Sequence, residues 1–184
     1  MAEFIDGDTE IAYTVGHSTH SLERLGAILQ ANGVRQIADV RRMPRSRRMP
    51  HFNVESLAHS LPEAGIAYAH LPELGGFRKP LPDSPNSAWE NESFRGYADY
   101  MQSEAFRDAL DRLTELAHPT AIMCAEALWY RCHRRLIADA LTARGQSVLH
   151  IRSDGRPEPH TLTPFAVVSG ERVSYPPAQG SLGV

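Results

Sequence analysis

The hydrophobic positions of the chain follow two alternating periodicities along most of its length. Short, nearly continuous apolar runs predict five strands, at residues 11–15, 36–40, 66–70, 120–124 and 147–151. The segments between them repeat apolar residues every three or four positions, which is typical of helices with one buried face. Strands that alternate with helices predict an α/β domain with a largely parallel sheet and flanking helices.

The helical segments also contain signals for where they begin and end. Five buried helix faces are predicted from apolar spacing, centred on Leu25, Leu57, Tyr97, Leu110 and Ile137. Asn53 and Ser103 are expected to cap the second and fourth helices, because their side chains accept hydrogen bonds from free backbone N–H groups. Pro62 is expected to stop or kink the second helix, since proline lacks the N–H that extends the hydrogen-bond ladder.

Two regions lie outside this repeating pattern. Residues 71–87 are rich in Pro and Gly and predict a long surface loop, for which a lid is one interpretation. Beyond residue 151 the chain becomes polar, and the apolar segments 165–168 and 172–175 predict a short hairpin around Ser169-Gly170-Glu171. We therefore expect one domain over residues 1–184, with a core at about 11–151 and an appendage at 152–184.

The composition is that of a globular protein. The 184 residues are 42% hydrophobic and 22% charged with a net charge of −3, which does not suggest a broadly basic nucleic-acid binder. No apolar run approaches the roughly 20 residues that cross a bilayer, and the acidic start at residues 1–10 lacks the features of a secretory signal. Two cysteines are too few for a disulfide scaffold. We expect a cytoplasmic protein with free thiols.

Reactive and charged residues follow the ends of the predicted strands. In a parallel sheet, ligands bind at the carboxyl ends of the strands, because the following loops and helix N-termini present backbone donors there. The residues at these positions are His17, Ser18, Asp39, Arg41, His70, Cys124 and Glu126. We expect five of them to face one cleft, namely His17, Asp39, Arg41, Cys124 and Glu126.

The segment from Cys124 onwards contains the strongest candidates for catalysis. Cys124 ends a strand before a helix N-terminus, where backbone N–H groups and the helix dipole lower the pKa of a thiol. Glu126 and His133 are candidates for proton transfer, and Arg134 is a candidate for holding an anion or neutralising Glu126. The alternative is that Cys124 is a buried packing residue. Cys132 is interpreted as a packing residue at the start of its helix.

The same segment offers metal-ligand types in an unsuitable spacing. Cysteine, histidine and glutamate side chains all bind transition metals. No two cysteines are separated by two residues, and the adjacent Cys132 and His133 diverge by about 100° if both lie on a helix. We therefore predict no metal and no cofactor, and a metal-dependent hydrolase is the third functional hypothesis.

The loop after the second strand has five arginines within residues 41–48. Arginine forms bidentate hydrogen bonds with phosphate, sulfate and carboxylate, so Arg41, Arg45 and Arg47 are candidates for anion recognition. A solvated charge cluster paired with surface acids is the alternative. The expected partner is an anionic small molecule or a nucleic-acid component, and no membrane. In a nucleic-acid-binding module, aromatic residues such as Phe77 would offer stacking surfaces.

Several motifs of the chain occur together in a known family. They are Tyr13-Thr-Val-Gly-His-Ser-Thr-His20, Asp39-Val-Arg41, Pro44-Arg-Ser-Arg-Arg48, Phe52-Asn53, His70-Leu-Pro-Glu-Leu-Gly-Gly76, Phe94-Arg-Gly-Tyr-Ala-Asp-Tyr100, Met123-Cys-Ala-Glu126 and Cys132-His-Arg134. As a set they resemble the domain of unknown function family 488, over a region from about Tyr13 to Tyr175. The resemblance supports the α/β fold and draws attention to these residues, and it implies no particular reaction.

A second resemblance concerns the layout of the chain. Asp39-Val40-Arg41 after the second strand and Cys124 at the end of the fourth resemble rhodaneses and the phosphatases that share their fold. In those proteins a cradle of loop amides holds a persulfide or phosphoryl group on the cysteine. Here the loop after Cys124 has no glycine to form such a cradle and contains Glu126. The predicted class is thus α/β, with a five-stranded sheet in a rhodanese-like or Rossmann-like three-layer arrangement.

The leading functional hypothesis is a cysteine-dependent transferase or hydrolase acting on a phosphate- or sulfur-containing substrate. Its catalytic candidates are Cys124, Glu126, His133 and His17. Its substrate-binding candidates are Ser18, Asp39, Arg41, Arg45, Arg47, His70 and Arg134. The chief alternative is a non-catalytic nucleic-acid or nucleotide-binding module that uses the arginine loop.

Overall fold

The computed structural model describes residues 11–116 and 119–178, and a six-stranded sheet lies at its centre. The strands are β1 (Ile11–Gly16), β2 (Gln36–Asp39), β3 (Ala67–His70), β4 (Thr120–Cys124), β5 (Ser147–Ile151) and β6 (Pro157–Pro159). Their order across the sheet is β3-β2-β4-β1-β5-β6. The first five are parallel to their neighbours, and β6 is antiparallel to β5. The predicted α/β class with a largely parallel sheet is confirmed.

Helices cover both faces of this sheet in the described part of the chain. They are α1 (Leu22–Ala31), α2 (Val54–Glu63), α3 (Glu92–Tyr100), α4 (Glu104–Thr114) and α5 (Arg134–Ala143). On one face, α1 and α2 pack into a core cluster that includes Leu25 and Leu57. On the other face, α3, α4 and α5 pack into a cluster that includes Tyr97, Leu110 and Ile137. The result is a three-layer α/β fold.

The predicted helix ends agree with the structure in most respects. Ser103 caps α4 by accepting a hydrogen bond from the N–H of Phe106. Asn53 is the N-cap of α2, but its Oδ1 accepts from the N–H of Ser46 and so fastens the arginine loop instead. Pro62 occupies the last turn of α2, which ends one residue later. Among the described residues, no helix combines the length and apolar character of a membrane span.

The C-terminal part differs from the prediction by one strand. The sixth strand, β6, was missed because it has only three residues, two of them proline, and proline is depleted in strands. The predicted hairpin is present as β7 (Val167–Ser169) and β8 (Arg172–Ser174), with shifted boundaries. Its second strand places Val173 and the adjoining Tyr175 in the core beside α5.

The long loop after β3 is fastened to α3 along its second half. Asp99 of α3 accepts hydrogen bonds from the Leu81 N–H at 2.8 Å, the Ser84 hydroxyl at 2.7 Å and the Asn86 side-chain amide at 2.8 Å. Asp99 is 9% exposed, so these bonds are shielded from water. The loop is therefore a fixed wall, and this geometry does not support its interpretation as a lid.

Candidate functional site

A large cleft lies at the carboxyl end of β4. It has a volume of about 1370 Å³, and the loops after β2, β3 and β4 together with the start of α3 form its walls. The lining residues most relevant to chemistry are Arg41, Arg42, Phe77, Cys124, Glu126, Arg131, Cys132 and His133. This is the position at which ligands bind in parallel sheets.

The two cysteines meet at the base of this cleft. Cys124 is the last residue of β4, and the chain returns through a short 3-10 helix, Trp129–Arg131, to the extended residue Cys132. Cys124 Sγ, Cys132 Sγ and one ring nitrogen of His133 all lie within 4.8 Å of one another, and the distance from Cys132 Sγ to His133 Nδ1 is 3.6 Å. The expectation that Cys132 and His133 diverge on a helix is wrong, because Cys132 precedes α5 and His133 is its N-cap.

Arg134 lies beneath the cysteines and is completely buried. Its Nε donates to Cys132 Sγ at 3.5 Å, and a terminal nitrogen donates to Thr14 Oγ1 at 3.3 Å. The other terminal nitrogen donates to the backbone carbonyl of Glu126. Within residues 11–116 and 119–178, no carboxylate forms an ion pair with this guanidinium. Arg134 is therefore a structural cation of the site, too deep to hold a substrate anion directly.

The pKa values of the two thiols are shifted in opposite directions. The hydrogen bond from Cys124, with further contributions from His133 and Arg134, holds the pKa of Cys132 well below its usual value of about 9. The same hydrogen bond and burial raise the pKa of Cys124 above that value. This direction for Cys124 is opposite to the one expected from the sequence. The 3-10 helix separates β4 from α5, so the N-terminus of α5 does not follow Cys124 directly, and the sulfur that the Arg134 guanidinium contacts is that of Cys132.

A buried chain of hydrogen bonds extends from Arg134 to a buried carboxylate. Thr14 Oγ1 lies 2.7 Å from His150 Nδ1, His150 Nε2 lies 2.9 Å from His160 Nδ1, and His160 Nε2 lies 2.9 Å from Asp139 Oδ1. Burial, followed by electrostatic interactions with His160 and Arg134, lowers the pKa of His150 to about 3, so the ring of His150 is neutral. A neutral His150 can donate from one ring nitrogen and accept at the other, which suits its place between Thr14 and His160. This chain fixes the position of Arg134.

Glu126 contributes an exposed carboxylate to the cleft. Its Oε1 accepts a hydrogen bond from the Leu128 N–H at 3.1 Å, and no ion pair among the described residues includes it. The expectation that an arginine neutralises this carboxylate is wrong, because Arg134 binds the backbone oxygen of Glu126 and water can solvate the exposed side chain. Glu126 therefore remains available for proton transfer.

His17, Arg41 and Asp39 form a separate network behind the cleft. Arg41 makes two hydrogen bonds with the Asp39 carboxylate, at 2.8 and 2.6 Å, and a third with His17 Nε2 at 3.1 Å. Burial, followed by the charge of Arg41, lowers the pKa of His17 to about 4. The His17 ring stacks on Phe52, with centroids 4.1 Å apart. Of the five residues expected to share one cleft, Arg41, Cys124 and Glu126 line it, and His17 and Asp39 do not.

Ser18 and His70 shape the backbone around that network. Ser18 has a φ of 47°, its N–H donates to Ala125 O at 3.0 Å, and its carbonyl lies 3.0 Å from His17 Nδ1. His70 Nε2 lies 2.8 Å from the carbonyl of Arg41. Neither residue lines the cleft, so their arrangement supports a structural role more directly than a substrate-binding one.

The arginine loop divides into two parts. Arg45 and Arg47 line a second cavity of about 790 Å³, shared with Ser46, Pro50, Asn53 and Glu55, and away from the cysteines. Arg45 and Glu55 are 3.9 Å apart and largely exposed, so their ion pair contributes at most about 1 kcal/mol. Arg41 and Arg42 instead face the cleft.

Several cleft residues were missed by the sequence interpretation. Cys132 was assigned to packing, Arg42 and Arg131 were not among the catalytic or substrate-binding candidates, and Phe77 was considered only as a stacking surface for nucleic acid. Phe77 has a φ of 59°, which is costly for a bulky residue, and its side chain is 90% exposed at the rim. The adjacency of Cys132 to His133, and of Arg42 to Arg41, was the available signal in the sequence.

The cluster of Cys124, Cys132 and His133 also has the donor types of a metal site. Charge balance argues against one. Two thiolates and a divalent cation sum to zero, which leaves the buried guanidinium of Arg134 without a net negative charge among the groups that its donors contact. One thiolate without a metal neutralises Arg134. The sequence prediction that the site holds no metal therefore remains our prediction.

Comparison with known families gives one match. The family model described as domain of unknown function DUF488 matches residues 21–141, about two thirds of the chain. Comparisons with curated proteins and with solved structures each give no match. The matched region contains the walls of the cleft, both cysteines and Arg134. The chain therefore belongs to the DUF488 family, a family of proteins with a domain of unknown function.

Proposed function

We propose that the chain is a cysteine-dependent enzyme whose two thiols share one negative charge and attack an anionic substrate bound in the cleft. The proposal revises the hypothesis drawn from the sequence, in which Cys124 alone is ionised. Its expected setting is the cytoplasm, where thiols remain reduced.

The burial of Arg134 is the observation on which this proposal depends. An uncompensated charge in a protein interior costs several kcal/mol, so a buried guanidinium requires an anion nearby. In the part of the chain that the structure describes, the ionisable acid reached by its donors is the thiol of Cys132, at 3.5 Å. A thiolate on Cys132 satisfies the charge of Arg134 and supplies a nucleophile.

The surroundings of the two thiols suit proton transfer. Cys124 is partly exposed to the cleft, and Cys132 is 5% exposed below it. Cys124 can therefore meet a substrate while its proton passes to the Cys132 sulfur. His133 Nδ1, 3.6 Å from Cys132 Sγ, and the exposed carboxylate of Glu126 are the groups placed to return a proton to a product.

The charges of the cleft favour an anionic substrate. Four arginines and two glutamates line it, and one of these glutamates, Glu73, is already paired with Arg112 at 3.0 Å. Arg131 makes no side-chain hydrogen bond or ion pair with any described residue, and Arg42 makes one, to the Phe77 carbonyl at 3.3 Å. These two guanidiniums are the free groups that could bind a carboxylate, phosphate or sulfonate.

Thiolate titration tests the proposal. Ultraviolet thiolate absorbance across pH, with iodoacetamide labelling as a second readout, should give one ionisation well below the free-thiol pKa of about 8.5 in the wild type. The Cys124→Ser variant should retain this ionisation, because serine can still donate to Cys132. The Cys132→Ser variant should lose it.

The outcome of the two variants decides the assignment. A wild-type protein that titrates only at or above the free-thiol value, under native conditions, would overturn the proposal. A low pKa that is retained in Cys132→Ser and lost in Cys124→Ser would assign the thiolate to Cys124. Circular dichroism of each variant establishes that the comparison is made between folded proteins.

A second function, nucleic-acid binding, is favoured by a different surface. Phe77 and Met43 are 90% and 85% exposed at the rim of the cleft, and Arg45 and Arg47 line the neighbouring cavity. Exposed aromatic and basic groups in this combination bind single strands by stacking and by phosphate contacts. Steeply salt-dependent binding of a single-stranded oligonucleotide, lost in Arg45→Ala with Arg47→Ala and unchanged in Cys132→Ser, would support this function.

A further inference from the structure

The two thiols lie close enough together to be candidates for a disulfide. Their Sγ atoms lie within 4.8 Å, and a disulfide bond is about 2.05 Å long. The sulfurs must approach by less than about 3 Å, which is the order of the displacement that one change of cysteine rotamer gives. The chain has two cysteines, so this is the single intramolecular disulfide that it can form.

The unequal exposure of the thiols gives each of them a different place in an exchange reaction. Cys124 lines the cleft and is partly exposed, so an incoming group meets its sulfur first. Cys132 is 5% exposed and lies within reach of the Cys124 sulfur. An accessible attacking thiol with a shielded second thiol beside it can resolve a mixed disulfide before solvent thiols do.

Building on the proposed function, we propose that the Cys124/Cys132 pair carries out thiol–disulfide exchange with an anionic disulfide, passing through an intramolecular disulfide. In the first step the Cys124 sulfur passes its proton to Cys132 and attacks one substrate sulfur, and the other half of the substrate leaves as a thiolate. In the second step Cys132 releases its proton to His133 and attacks the Cys124 sulfur, and the remaining half leaves. Two thiols of the protein are oxidised and one substrate disulfide is reduced to two thiols.

A thiol reductant completes the cycle by the reverse exchange. Arg134 determines which direction is favoured. In the reduced state the Cys132 thiolate accepts a hydrogen bond from Arg134 Nε at 3.5 Å. A disulfide sulfur has no charge with which to compensate the buried guanidinium. The reduced state is thereby stabilised, so the disulfide is a strong oxidant, as is general for pairs that stabilise their thiolate.

Redox equilibration of the full-length protein tests the inference. The protein is incubated anaerobically with mixtures of glutathione and glutathione disulfide, quenched with acid, alkylated and weighed by mass spectrometry. We expect a monomer with one intramolecular disulfide in the oxidising mixtures, and glutathione adducts at most in Cys124→Ser and Cys132→Ser. Wild-type protein that accumulates only adducts or disulfide-linked dimers would overturn the inference.

The charge of the disulfide gives an independent test. Glutathione disulfide is anionic and cystamine is cationic, so at low salt we expect the first to oxidise the pair at least about tenfold faster. Arg131→Ala should reduce that preference, and Arg24→Ala, at an exposed position that lines neither cavity, should leave it unchanged. Equal rates for the two disulfides would contradict an anionic substrate.

A substitution of Arg134 should shift the equilibrium between the dithiol and the disulfide forms of the protein. Arg134→Lys retains a charge but loses the Nε donor, and we expect the exchange equilibrium to move toward the disulfide by on the order of tenfold. An unchanged equilibrium in a folded variant would contradict the role of Arg134, and if the variant does not fold, the wild-type titration still decides. A low thiolate pKa without an intramolecular disulfide would refute this inference alone, whereas the absence of a low pKa would refute the proposed function.

Discussion

The ionisation of Cys132 should make the stability of the fold depend on pH in the neutral to mildly basic range. Its pKa is well below 9 in the folded protein and close to 9 in the unfolded chain. A depressed pKa contributes stability that is fully present above the unfolded value and is lost as pH falls through the folded value. Between these two pKa values one proton separates the states, so the free energy of unfolding should rise by about 1.4 kcal/mol per pH unit.

The interval from about pH 7 to about pH 8.5 isolates this contribution, which has an upper limit of about 2 kcal/mol over the interval. His17 and His150 have folded pKa values of about 4 and about 3, so above their unfolded value of 6.5 both are neutral in both states. Cys124 acts in the opposite direction, but only where its unfolded counterpart ionises, near 9 and above. The buried Tyr97 and Tyr175 contribute only near their unfolded pKa of 10.

Urea unfolding under reducing conditions at several pH values measures this slope. The wild type and Cys124→Ser should both become more stable across the interval, by up to about 2 kcal/mol, because serine still donates a hydrogen bond to the Cys132 thiolate. Cys132→Ser should show a nearly flat profile. Parallel profiles for Cys132→Ser and the wild type, or loss of the slope in Cys124→Ser instead, would refute the assignment of the charge to Cys132.

Three further predictions concern acid stability, the buried carboxylate and metal content. Thermal melts should show stability rising from about pH 4 to about pH 6.5 as the depressed histidines lose their protons in the unfolded chain, and a flat profile would contradict their burial. Asp139→Ala should lower the free energy of unfolding by at least about 3 kcal/mol, because it leaves the His160, Thr163 and Tyr175 donors without an acceptor. The control Asp111→Ala removes a carboxylate that is 56% exposed, and it should cost less than about 1 kcal/mol in a urea unfolding assay. Elemental analysis of protein purified without metal-affinity tags should find no stoichiometric zinc or iron, and about one equivalent would contradict the charge balance at Arg134.

The sequence was sufficient to predict most helices and strands of the fold, because the signals for them are local. The spacing of apolar residues predicted β4 and β5 with the boundaries that the structure has, and the other three central strands to within one residue. Periodicity depends on which side of one element faces the core, and that information lies within about ten residues. A three-residue strand with two prolines, β6, gives no such signal.

The sequence also determined which end of the sheet contains the chemistry. Polar and reactive residues follow β1, β2 and β4, and the structure places Arg41, Cys124 and Glu126 around one cleft at that end. The general rule for parallel sheets was enough for this result. It could not separate His17 from Cys124, whose backbones are hydrogen-bonded at 2.9 Å while only Cys124 lines the cleft.

Only the tertiary structure decided which thiol contacts the buried guanidinium. The sequence places Cys124 at a strand end and Cys132 next to a helix, and local rules favour the first as the acidic thiol. The choice depends on Arg134, whose position is fixed by Thr14, on a strand 120 residues earlier in the sequence. Burial and charge compensation are properties of the packed interior, where interactions between distant residues outweigh local preference, so no pattern within the segment could have revealed them.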